Sequence, residues 1–318
     1  MAIRLIENFR TVFYTPFYAP AALGTYQAEG LDVRILTSPA AAQTVHSLVD
    51  GEGDVSWGGV SRLMGMLETN PARAPVAFCE VVGRDPFFLL GRTPNPDFRF
   101  GDLLGLKVAT VCEVPAPWMC LHHEIKLAGV DPAQIVRTAE RPMAENAALF
   151  RAGEIDVVQV FHPFALQLIE DGAAHIWHTG ATHRPTSYTT LNTTRDFAAR
   201  NPDVLLRMCR AVYRAQQWIA EHDGADVAAA VTSFFPEIPA PTLANCCNHY
   251  RALGVWNRTP LMSHEGFAWV RDAGLSVGRV KRRFSYDECV DMRFAEQAVR
   301  ELSATQWCRS GAEHAPSP

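Results

Sequence analysis

Gly51-Glu52-Gly53-Asp54-Val55 returns later in the chain as Gly153-Glu154-Ile155-Asp156-Val157. The copies begin at positions 51 and 153, a spacing of 102, and each follows an apolar, helix-like stretch. Upstream of them, Gly30-Leu31-Asp32 is echoed by Gly129-Val130-Asp131. A repeat of about a hundred residues is too long for a solenoid unit, whose periods run roughly 20–50 residues. It fits two related α/β lobes instead. Two lobes make a cleft, and clefts between domains are where small ligands bind.

A chain of 318 residues suits two domains. With 48% hydrophobic and 20% charged residues, the composition is that of a globular protein. Net charge is −5, and the densest basic patch, Lys281-Arg282-Arg283, reads as a solvated turn. No basic run is long enough to track a phosphate backbone, so nucleic acid is not an expected partner. Met1-Ala2-Ile3-Arg4-Leu5-Ile6-Glu7 carries charges where a secretory leader needs an unbroken apolar run. No run of eighteen apolar residues occurs, so no membrane insertion is expected. The chain as written reads as cytoplasmic, and as periplasmic if an export signal has been removed. Its eight cysteines show no repeated CxxC spacing and suit small buried hydrophobes in a reducing compartment. His122 and His123 are adjacent on an expected helix and cannot both face one metal ion. The expected cofactor complement is none.

Strand-like runs at 3–6, 10–14, 31–36, 54–57 and 76–82 alternate with helical stretches at 21–28 and 40–49. Phe13-Tyr14-Thr15-Pro16-Phe17-Tyr18 reads as an aromatic loop punctuated by prolines. Ser38-Pro39 reads as a helix start, with Ser as N-cap and Pro in the first turn. The pattern repeats with strands at 87–90, 106–111, 135–138 and 155–160 and helices at 117–127 and 142–151. Such alternation predicts a mostly parallel sheet in each lobe. Crossovers are expected near 84–92 and 183–191, placing lobe I in 1–88 and 189–302 and lobe II in 89–188. Residues 201–302 read as helical, packed largely on lobe I, with a capping box at Ser285-Tyr286-Asp287-Glu288. Residues 303–318 read as a flexible tail.

Phe13-Tyr14-Thr15-Pro16-Phe17-Tyr18-Ala19, then Gly24-Thr25-Tyr26-Gln27-Ala28-Glu29-Gly30-Leu31-Asp32-Val33, resembles the opening of a known superfamily. It is the one shared by thiamine-pyrimidine synthases and alkanesulfonate-binding proteins. Phe100-Gly101-Asp102-Leu103-Leu104-Gly105-Leu106-Lys107-Val108 and the two glycine-acid motifs continue the likeness in order over roughly residues 3–220. The resemblance implies a type II periplasmic-binding-protein fold that closes on a small ligand at the hinge. Thr44-Val45-His46, Trp57-Gly58-Gly59 and Gly83-Arg84-Asp85-Pro86-Phe87-Phe88 are similar to the aromatic sulfinate desulfinase branch. His46 falls at that enzyme's catalytic histidine, but its arginine position holds Ser56, and no cysteine precedes Cys79. Against the pyrimidine synthases, the lysine that holds pyridoxal phosphate aligns with Gly58 and the substrate histidine with Arg62. Their cysteine-rich motif aligns with Ser187-Tyr188-Thr189-Thr190. Neither chemistry carries over.

The expected ligand-binding set is Tyr14, Tyr18, Ser38, His46, Trp57, Gly58, Gly59, Arg62, Glu113, His162 and Tyr188. Ser38 opens a helix whose free N–H groups would meet an anion or carbonyl, plain capping being the alternative. Trp57-Gly58-Gly59 offers an aromatic wall beside a loop without side chains, or else Trp57 is core. Arg62 offers a bidentate fork to a carboxylate or sulfonate, or a salt bridge within the protein. His46 lies two helical turns in, deep for a cleft residue, and reads first as structural, with ligand contact the alternative. Glu113 could accept from an amino-heterocycle, and pseudo-symmetry sets His162 opposite Trp57. No catalytic residue is assigned. The leading expectation is a receptor for a small aromatic or heteroaromatic molecule, with Arg62 leaving room for an anionic group, and an ABC permease as partner if the chain is exported. The alternative is a cytosolic enzyme of the desulfinase, decarboxylase or thiamine-pyrimidine type, and a ligand-sensing subunit is a third reading. Cys112, at a strand end of lobe II, is the one cysteine whose expected position reaches the cleft.

Overall fold

A computed structural model describes residues 2–312 except Pro39 and His183, with side chains as far as Ser303. The strands are β1 (Ala2–Glu7), β2 (Asp32–Thr37), β3 (Val55–Gly58), β4 (Val76–Val82), β5 (Phe88–Gly91), β6 (Lys107–Ala109), β7 (Val136–Thr138), β8 (Val157–Val160), β9 (His175–Thr179) and β10 (Thr189–Thr193). They form two five-stranded sheets, ordered β2-β1-β3-β10-β4 in lobe I and β7-β6-β8-β5-β9 in lobe II. Each order is the other with its strands renamed, and the sequence repeat has a physical cause in this. Asp54 accepts from the backbone N–H of Arg4 at 2.8 Å and returns its own N–H to Arg4 O at 2.9 Å. Asp156 makes the same clip with Lys107, at 2.8 and 3.0 Å. Each aspartate thus locks the strand that follows it onto the first parallel strand of its own lobe. The glycine that opens each motif, Gly51 at φ +81° and Gly153 at φ +83°, takes the left-handed turn that ends the preceding helix.

The sheets are mixed rather than mostly parallel. β10 runs antiparallel to β3 and β4, and β5 runs antiparallel to β8 and β9. These are the strands on which the chain enters and leaves lobe II. The proline-punctuated aromatic segment is helical from Thr15 to Ala22, with Pro16 in the first turn and a further short helix from Thr25 to Ala28. The run expected as a strand at 10–14 is a 3-10 turn over Val12–Tyr14. After Ser38 the chain makes a 3-10 turn over Ala41–Gln43 and a helix over Thr44–Val49, while the reading of Pro39 as first turn lies outside the described residues.

The helix Pro202–Glu221 packs against Thr15–Ala22, Thr25–Ala28 and the final helix, Arg293–Ala312. Arg210 and Arg214 both pair with the buried carboxylate of Glu29 there. The capping box at Ser285 is present but starts only the short helix Tyr286–Cys289. Residues 303–312, expected as part of a flexible tail, continue the last helix, and 313–318 lie outside the described residues. Among the described residues no helix is long and apolar enough to cross a membrane.

Candidate functional site

A cavity of about 1020 Å³ lies between the lobes. Lobe I and the C-terminal helices contribute Val45, His46, Arg62, Met66, Val277 and Arg279 to its wall. Lobe II contributes the loop 111–115 after β6, Trp118 and Met119 from the helix Ala116–Leu127, and Arg137 from β7. The architecture dictates these positions. In each lobe the loops after the parallel strands and the starts of the following helices converge on the side that faces the other lobe.

Arg62 stands in the first turn of the helix Val60–Thr69. Gly59 precedes that helix, and a Cβ there would come within 3.1 Å of Tyr188 O, so a residue without a side chain lets the helix begin against β10. Arg62 Nη1 is buried without a hydrogen-bond partner. Burial holds the guanidinium below its usual pKa, Arg279 pushes in the same direction, and the hydroxyls of Tyr14 and Tyr188 oppose them. Burial also lowers Arg279 and Arg137. Arg137 donates to Thr110 Oγ1 at 2.7 Å, and its guanidinium carbon lies 4.0 Å from the Trp118 ring centroid. Among the described residues none of these three arginines is ion-paired. Arg62 is half-buried and Arg137 and Arg279 are exposed, so the cavity presents three guanidinium groups free of protein carboxylates, a donor set suited to an anion.

Glu113 lines the cavity, but its carboxylate is engaged: Oε1 accepts from Met143 N at 2.7 Å and so starts the helix Met143–Ala152. Cys112 also faces the cavity. Burial and the Glu113 carboxylate raise its thiol pKa, and Sγ lies 3.2 Å from Arg141 O. A thiol held in its protonated form is a poor nucleophile.

Of the eleven expected ligand residues, His46, Arg62 and Glu113 line the cavity. Trp57 does not. It is fully buried, stacked on Phe17 at 4.9 Å and met edge-on by Tyr14 and Tyr18. Tyr18 is fully buried and donates its hydroxyl to Glu7 at 2.8 Å; Tyr14, also buried, accepts from Asn8 at 3.0 Å. These rings are the core beneath the cleft because the segment that carries them is an inward-facing helix rather than a loop. Ser38 donates to Ala40 O at 2.8 Å and caps no helix among the described residues. His162 is buried against Phe88, with Nε2 2.8 Å from His249 Nδ1, and burial lowers its pKa to about 3. In the repeat register the residue at Trp57's place is Gln159, not His162. Tyr188 is buried beside Phe13 and Phe87, and Gly58 lies behind Arg62 in β3. Sequence reasoning missed Trp118, Arg137 and Arg279. Trp118 was accessible from its place in the first turn of a helix following a strand of lobe II, whereas Arg137 and Arg279 carry no local signal.

Two sheets of matching order, crossed by the chain twice and with a cavity between their lobes, define the architecture. The fold is that of the periplasmic binding proteins. Residues 100–233 match the model of the NMT1-like family. YtlA of Bacillus subtilis, described as a candidate binding protein, is 24% identical over 94% of this chain and 90% of its own length. The periplasmic aliphatic sulphonate binding protein SsuA of Escherichia coli superposes with a TM-score of 0.71 at 16% identity, covering 91% of this chain and 97% of that one. The desulfurization enzyme DSZB superposes at 0.64 with 15% identity, over 95% and 99% of the two chains. Receptors and an enzyme thus share this periplasmic-binding-protein fold, and the cavity's own residues must separate the two activities.

Proposed function

We propose that the protein is a substrate-binding component that holds a small anionic molecule with a flat apolar body between its lobes. The observation that carries this reading is Arg62, a cavity-lining guanidinium with a buried Nη1 that no protein group engages. Met66, Met119, Val111, Val277 and Trp118 supply apolar and aromatic surface for the body of the ligand. Relatives named as binding proteins support the reading, and the exported receptors among them suggest a periplasmic setting and delivery to an ABC permease.

The cavity's chemistry argues against the enzyme reading. Cys112 is the described cysteine that lines it, and its thiol is held protonated. Thiolate attack on a sulfinate requires the ionised sulfur beside a base.

Calorimetric titration with benzenesulfonate and benzoate tests the proposal. We expect saturable binding, weakened at least tenfold in Arg62→Gln, with unchanged circular dichroism. Equal affinity in the variant would remove Arg62 from the site. Sulfite release from aromatic sulfinates above background, lost in Cys112→Ser, would replace the receptor reading with an enzymatic one.

A further inference from the structure

Lobe II is held to the rest of the chain at more than its two crossovers. The helix Ala240–Ala252 comes from the C-terminal region, and its last turns rest against the residues just past β8 and at the start of β5. Tyr250 Oη accepts from His162 N at 2.9 Å and donates to Pro86 O at 3.4 Å. His162 Nε2 lies 2.8 Å from His249 Nδ1, and both imidazoles pack on Phe88, with centroids 4.7 and 5.2 Å from its ring. His162 and Tyr250 are fully buried, and His249 is half-buried.

Two facing ring nitrogens can share one hydrogen but not two. His162 Nδ1 is buried without a partner, which suits a bare lone pair, so Nε2 carries the proton and His249 Nδ1 accepts it. A further proton on His249 Nδ1 would set two donors against each other. One on His162 Nδ1 would be a buried charge without an acceptor. Tyr250 is the titratable group whose ring meets that of His162, and Asp85 and Cys246 act on Tyr250. No carboxylate among the described residues figures in the charges that act on either imidazole.

We infer that this histidine pair is an acid-released latch between the lobes: neutral, it holds lobe II against the helix Ala240–Ala252, and protonation lets the lobes part and the ligand leave. The inference concerns lobe closure and holds for whatever molecule the cavity takes. The parted form gives both rings to water, where they accept protons freely, so acid favours it by linkage. Each proton taken up raises the ratio of parted to closed molecules by up to about tenfold per pH unit.

Small-angle X-ray scattering on the full ligand-free chain tests the latch. At neutral pH a radius of gyration of about 20 Å is expected for a compact chain of this length. At about pH 5, below the ordinary histidine value, the radius should rise while the far-ultraviolet circular dichroism stays unchanged. In His249→Gln the amide oxygen still accepts from His162 and takes up no proton, so the expansion should move to lower pH by about half a unit or more. The affinity for benzenesulfonate, whose charge does not change over this range, should fall at least tenfold as the parent expands. A constant radius in the folded parent, an identical midpoint in His249→Gln, or an affinity that ignores the expansion would overturn the inference. Expansion accompanied by loss of the dichroism would be unfolding rather than release and would overturn it too. Failure of benzenesulfonate to bind at neutral pH would count against the receptor reading alone, since the scattering needs no ligand.

Discussion

Arg62 and Cys112 line the same cavity and fix its chemistry from opposite sides. The arginine is a half-buried cation with one guanidinium nitrogen unpartnered, and the cysteine is a thiol whose pKa is raised by partial desolvation and by the Glu113 carboxylate. Cys112 is exposed, while Cys79, Cys120, Cys209, Cys246, Cys247 and Cys289 are buried. Alkylation by iodoacetamide should therefore mark the Cys112 peptide ahead of those six. The reaction should be slower at pH 7 than for a free cysteine, and should be suppressed by saturating ligand. Peptide mapping by mass spectrometry reads all three outcomes. Rapid labelling at neutral pH would mean a thiolate in the cleft and would reopen the catalytic question. At this scale the sequence was only partly legible. Arg62 announced itself four residues beyond Gly58, whereas the role expected of Trp57 failed. An aromatic residue next to two glycines looks the same in one dimension whether its ring points into a cleft or into the helix Thr15–Ala22 behind it.

Among the elements, the twin aspartate clips carry a comparable test. Asp54→Ala removes hydrogen bonds to the backbone and side chain of Arg4. Loss of partly buried, charge-assisted bonds of this kind costs about 1–3 kcal/mol. The exposed clip at Asp156 bonds only the backbone of Lys107 among the described contacts, and its loss should cost about 1 kcal/mol. Urea denaturation of the two variants should show that order, and a larger loss at Asp156 would contradict it. The clips were readable because their glycines and aspartates recur at one spacing. β10 was not. Thr189-Thr190-Leu191-Asn192-Thr193 is an interior strand with a single aliphatic side chain, so it lacks the apolar run that marks a buried strand. Most of its polar side chains bond within the sheet instead: Thr190 donates to Gly58 O at 3.2 Å, Asn192 to the same oxygen at 3.3 Å, and Thr193 to Asp54 O at 2.7 Å, while Thr189 Oγ1 is buried without a partner among the described residues. The final helix was cut short for the opposite reason, since its end carries few residues that require burial.

For the molecule as a whole, two buried groups set opposite pH limits. Burial raises the Glu80 carboxyl to about 8, so its neutral form is favoured in the folded chain. Its contribution to stability is fully present below the ordinary carboxylate pKa and is lost as pH rises through 8. His162, lowered to about 3, is neutral when folded, and its contribution is present above the ordinary histidine value and falls as pH drops below it. Melting temperature in the absence of ligand should therefore be level at mildly acidic pH, between the ordinary carboxylate and histidine values, and decline on either side. Glu80→Gln should flatten the alkaline limb and leave the acid limb in place. An unchanged alkaline limb in that variant would assign the loss to other groups.

The pairing at the crossovers has one more consequence. Val82, which ends β4, lies opposite Thr189, which begins β10, and Phe88 at the start of β5 lies opposite Thr179 at the end of β9. The chain leaves one sheet and re-enters it at adjacent rungs of the same ladder, and the intervening segment starts and finishes at adjacent rungs of its own. Such a segment is a cassette. It could be traded for a relative's segment between 83 and 188 without altering a single strand register in the sheet that receives it. Arg137 and Trp118 travel inside the cassette, while Arg62 and Arg279 stay behind. New ligand preferences could thus arise by recombining one half of the binding surface against a constant other half.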